Sequence, residues 1–86
     1  MTNRFNAIVT DIRLASRVEG RALWHIALDH SLFSEHTPTG TLTARAASGA
    51  VLVVTVLAVE RDNQCDLWHV TEKPLQVGAS VEAEVL

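Results

Sequence analysis

One tetrapeptide occurs twice in this chain. Leu23-Trp24-His25-Ile26 returns 44 positions later as Leu67-Trp68-His69-Val70, and the two copies hold both tryptophans and two of the four histidines. Flanking residues match in the same register: Ala7-Ile8-Val9 falls on Val51-Leu52-Val53, Ile12 on Val56 and Arg17 on Arg61. Self-similarity at a fixed spacing is the mark of an internal duplication. With 86 residues to divide between two copies, it restricts the fold to one small domain built from two equivalent halves, about 6–46 and 50–86.

Each half reads as strand, strand, connection, strand. Residues 6–15 put Ile8, Ile12 and Leu14 on one face and Ala7, Val9, Asp11 and Arg13 on the other. Ser16 to Gly20 forms a hairpin connection in which Gly20 supplies positive φ. Along 21–28, Ala22, Trp24, Ile26 and Leu28 alternate with Arg21, Leu23, His25 and Ala27. Arg13, Arg17 and Arg21 also lie at helical spacing, but Gly20 interrupts that pattern and the matching segment is rich in Val and Thr, which favour strands. Asp29 is placed to cap one short helical turn near 30–36, which Thr37-Pro38 closes. A third strand covers 41–46 with Leu42, Ala44 and Ala46 inward.

In the second half, residues 50–59 are apolar on both faces and read as a central, fully covered strand. Arg61 to Gln64 makes the turn, 65–71 the partner strand, and Val81, Ala83 and Val85 the inward face of the last strand. Two three-stranded units bury little alone. Packed about a pseudo-dyad they close, or nearly close, an all-β barrel of five to six strands without exposed edges. The pattern resembles the small cradle-loop barrels made from duplicated units. The ending Leu-Gln-Val-Gly-Ala-Ser-Val-Glu-Ala-Glu-Val is similar to the closing strand of OB-like and translation-factor-type barrels. Both resemblances rest on common strand and turn chemistry and single out no family.

Strand alternation divides the repeated motif. It predicts Trp24 and Trp68 as matched core anchors, with Leu23, His25, Leu67 and His69 on the outer face. Cys65 and His69 share a strand face at a Cys-x-x-x-His spacing. A structural zinc site usually takes four ligands, however, and this chain has a single cysteine, so no metal or cofactor is expected. Ser31, Ser34 and Cys65 stand near histidines in sequence but on no glycine-bracketed elbow, and there is no phosphate loop or dinucleotide fingerprint. No enzymatic activity is expected.

Charge narrows the partners. The net charge of −3 opposes general affinity for nucleic acid, which comes mainly from Lys and Arg displacing counterions. Residues 1–46 hold five Arg against four acids, and residues 47–86 hold two basic groups against six acids, so the halves differ in sign. With one cysteine, no signal peptide and no apolar run long enough to span a bilayer, the chain reads as a cytoplasmic protein. The expected function is a non-catalytic binding module acting by protein contact, as adaptor, regulator or inhibitor, or by self-association into a dimer. Its contact residues would be Leu23, His25, Leu67 and His69 with Arg13, Arg17 and Arg21. The alternative is an OB-like barrel that binds single-stranded nucleic acid through those arginines, Arg45 and Trp24.

Overall fold

The computed structural model describes residues 3–86, with Val18 described by its backbone. Six strands appear in chain order: β1 (Asn3–Val18), β2 (Arg21–Leu28), β3 (Gly40–Arg45), β4 (Val51–Arg61), β5 (Leu67–Thr71) and β6 (Ser80–Val85). All neighbours are antiparallel and the sheet closes in the order β1-β2-β5-β4-β3-β6. Exchanging β1 with β4, β2 with β5 and β3 with β6 returns the same circuit. Closure leaves no strand with a free row of backbone donors and acceptors.

The core is aliphatic. Val9, Ile26, Leu42, Val54, Val56, Val81, Ala83 and Val85 fill the interior, each at most 2% exposed. Burying a Val, Leu or Ile side chain contributes roughly 1.5–3 kcal/mol, so these residues carry much of the stability. β6 alternates as its sequence predicts, and in β3 Leu42 and Ala44 face the core, but Ala46 is exposed beyond the strand end.

No helix occurs among the described residues, and the expected turn near 30–36 is an irregular loop. Asp29 caps no helix. Its Oδ1 accepts the Ile8 backbone N–H at 2.9 Å while its own N–H donates to the Ile8 carbonyl at 3.0 Å, which ties the end of β2 to β1. The loops after β2 and β5 each send one side chain into the core, Phe33 and Leu75.

The β1–β2 turn has two residues, Glu19 (φ 51°) and Gly20 (φ 79°). Positive φ at both is the type I′ turn whose twist suits a tight hairpin. Gly40 is required for a different reason. A Cβ there would overlap the Glu84 carbonyl oxygen and come within 2.9 Å of the Phe33 ring.

Bulges decide which side chains enter the core. Between Val9/Leu28 and Asp11/Ala27 the register shifts by one residue, so Thr10 is extra and the inward phase moves from Ala7 and Val9 to Ile12. Ile8 is therefore 45% exposed, and it does not share a face with Ile12 as simple alternation predicts. Further shifts leave Ala15 and Leu57 unmatched.

Candidate functional site

The repeated motif is split by the barrel wall. β2 and β5 are direct neighbours, with Ile26 opposite His69 and His25 opposite Val70. Residues opposite one another on antiparallel strands share a face. His69 thus points inward with Ile26, and both are 0% exposed; Trp68 has the opposite parity, on the outer face, yet is itself only 6% exposed. In the first copy the phase is reversed: Trp24 has the inward parity and His25 the outward. The expectation of two matched tryptophan anchors fails. Trp24 is half-buried at the hairpin end of β2, and neither tryptophan belongs to the aliphatic core. The expected outer Leu-His face also fails in the second copy, because Leu67 packs against the core and His69 is sealed inside. β5 begins at Leu67 rather than Cys65, which occupies a left-handed turn position at φ 65°.

On the outer side, His25 and Trp68 come together, their ring centroids 6.0 Å apart. The Arg13 guanidinium lies 4.0 Å above the Trp68 ring and its Nε donates to His25 Nδ1 at 3.2 Å. With Nδ1 accepting, the neutral His25 ring holds its proton on Nε2, which meets Glu60 at 3.0 Å. Trp68 donates its indole N–H to Asp62 at 2.9 Å. That bond, with those from the Asp66 and Gln64 backbone N–H groups, holds the Asp62 carboxyl below its usual 3.8. Of the expected arginine cluster, Arg13 covers Trp68 and Arg21 pairs with Glu72 at 3.0 Å. Arg17 has no side-chain partner among the described residues. Leu23 is half-buried beside them. The seven expected contact residues are therefore divided: Arg13, Arg17, Arg21, Leu23 and His25 outside or at the surface, Leu67 and His69 inside.

Inside, His69 has both ring nitrogens engaged. Nδ1 lies 2.8 Å from the Ile26 carbonyl oxygen, which can only accept, so Nδ1 carries the proton. Nε2 is then bare and accepts the Ser31 hydroxyl at 2.8 Å. Ser31 Oγ also receives the Phe33 N–H at 3.1 Å, and the Phe33 ring meets the imidazole edge-on at 5.1 Å. Burial pushes the His69 pKa below its ordinary 6.5, partly offset by the Ile26 bond. Ser31 and His69 are 38 residues apart and adjoin a cleft of ≈ 490 Å³ bordered also by Leu28, Leu67, Arg61 and Cys65. Sequence proximity associates Ser31 with His30; only the closure of β2 onto β5 joins it to His69. No group of three or more His, Cys, Asp or Glu is arranged to hold a metal ion among the described residues.

A third feature is the bare outer face of β4. The sequence predicts a strand covered on both sides, yet a barrel of one layer covers only the inner side. Val51, Val53 and Leu57 are 51%, 50% and 41% exposed. A groove of ≈ 460 Å³ opens at the Val51 end of this strip, between the β3–β4 hairpin and the loop after β5, lined by Ala44, Val51, Leu52, Pro74 and Leu75 among others. No helix long and apolar enough to cross a membrane occurs among the described residues.

No family model, curated protein or solved structure matches this chain.

Proposed function

We propose that this barrel is a non-catalytic binding module that works by protein–protein contact, with a second copy of the chain as its partner. The observation that carries the proposal is the row of half-exposed aliphatic side chains on β4, with an apolar groove at its Val51 end. Small folded domains seldom leave contiguous apolar surface bare unless something covers it. A two-fold pair covers the same strip on both copies at once. The rim carries both signs, with Arg45 opposite Val51 at one end and Glu72 and Lys73 beside Leu57 at the other, so like charges need not meet. The exposed free thiol of Cys65 suits a reducing compartment, and we assign the module to the cytoplasm. An aromatic platform for single-stranded nucleic acid is less well supported, because Trp24 is half-buried with the inward parity and Arg13 already occupies the face of Trp68.

Sedimentation velocity over a wide concentration range tests the contact. The wild-type chain should shift from monomer to dimer as concentration rises, and the double variant Val53→Lys, Leu57→Lys should stay monomeric with an unchanged circular dichroism spectrum. A wild-type chain that is monomeric throughout removes the second copy as partner. A double variant that still dimerises moves the contact away from β4.

A further inference from the structure

The Ser31–His69 pair has a geometry that the binding role does not use. An activated nucleophile is recognised by a hydroxyl within hydrogen-bond reach of a base that a third group orients. Here the hydroxyl is Ser31 Oγ, the base is His69 Nε2 at 2.8 Å, and the orienting group is the Ile26 carbonyl on Nδ1 at 2.8 Å. Because that carbonyl fixes the tautomer, Nε2 is bare and directed at the hydroxyl. Ser31 is only partly buried and borders the ≈ 490 Å³ cleft, so its oxygen can be approached from a side that His69 does not occupy.

We infer that Ser31 is a base-activated hydroxyl that accepts an acyl group from an activated ester and keeps it. In the step, Oγ attacks the ester carbonyl carbon as its proton passes to His69 Nε2, and the bond from that carbon to the leaving oxygen breaks with its electron pair going to that oxygen. The leaving group departs into the cleft as a stabilised oxyanion, and one proton is released overall to solvent. Nothing is oxidised or reduced. The burial that orients His69 also explains why the group is retained. Hydrolysis of the acyl-serine needs a water molecule at Nε2, but His69 is 0% exposed and the acyl group itself would fill the approach through Ser31. A single uptake per chain follows, in place of turnover. Leu28 and Leu67 on the cleft wall favour an apolar acyl chain. Ser34, in the same loop, provides an internal contrast: its hydroxyl pairs with Thr37 Oγ1 at 3.0 Å and has no base.

A fluorophosphonate tests the activated oxygen on the whole chain, since Oγ displaces fluoride at phosphorus while a thiol such as Cys65 is a poor partner. The expected result is one phosphonyl group per chain, located on Ser31 by peptide mapping, with Ser34 unmodified and Ser31→Ala unlabelled. His69→Gln should slow labelling by about 10²-fold or more, the usual contribution of a positioned base. Should that variant not fold, the wild-type pH profile provides the same information, because labelling must fall as the pH is lowered far enough to protonate His69. Absence of an adduct on the folded wild-type chain, equal labelling of Ser31 and Ser34, or a rate independent of pH would each overturn the inference.

Discussion

Acidification should weaken this barrel in two separate steps, and the first belongs to His69. The ring is 0% exposed, donates to Ile26 through Nδ1 and accepts from Ser31 through Nε2. A proton added to Nε2 has to displace the Ser31 hydroxyl hydrogen and bring a charge into an aliphatic interior, and the folded-state pKa is accordingly below 6.5. The unfolded chain takes up that proton at about 6.5. The stabilisation from this group is thus fully present above pH 6.5 and is lost as pH falls from there through the folded pKa. Over that interval the unfolding free energy drops by about 1.4 kcal/mol per pH unit. For a domain whose total stability is on the order of 5–15 kcal/mol, one unit is readily measured. Asp29 and Asp62 have carboxyls held below 3.8, so their stabilisation is present above that value and lost beneath it, in a second and more acid step. Urea midpoints followed by tryptophan fluorescence between pH 8 and pH 4.5, at fixed ionic strength, isolate the first step when wild type is compared with His69→Gln. The advantage of wild type over the variant should be largest above pH 6.5 and should shrink as pH falls below it, because only wild type loses the His69 contribution. A constant difference would refute the placement of a neutral imidazole in the core.

Three substitutions examine other parts of the structure. Gly40→Ala forces a methyl group onto the Glu84 carbonyl and the Phe33 ring, and should cost at least ~2 kcal/mol in urea unfolding. Arg13→Ala removes the guanidinium from the Trp68 face, so emission should move to longer wavelength with a stability loss of about 0.5–1 kcal/mol. Glu19→Asn relieves a left-handed residue in the β1–β2 turn and should raise the melting temperature, by a stabilisation of about 1 kcal/mol.

How far the sequence revealed this structure depends on the phase of each strand. Regular alternation in β6 and the Leu42–Ala44 segment of β3 gave both the strand and its inward face, and Gly20 marked its hairpin. The number of strands and their closure followed from counting apolar runs between turn residues. Faces were lost wherever a bulge intervened. Thr10 separates Val9 from Ile12 as inward residues, and nothing in the local pattern announces an extra residue there. The repeated Leu-Trp-His was misleading because identical residues in the two copies have opposite phases, so His25 faces Glu60 outside while His69 faces Ile26 inside. β4 was recognised as a strand, but its apolar outer residues do not reveal whether a second layer or a second molecule covers them. The Ser31–His69 contact spans the loop and strand pairing of the whole barrel and leaves no trace in sequence spacing.

The division of that motif across the barrel wall is the claim on which the other conclusions depend, and imidazole nitrogen spectra at pH 8 address it directly. His69 should show the Nδ1–H tautomer with a slowly exchanging proton, and His25 the opposite Nε2–H tautomer, set by the Arg13 bond to Nδ1. The same tautomer on both rings, or a His69 ring proton exchanging as fast as that of a free imidazole, would contradict it.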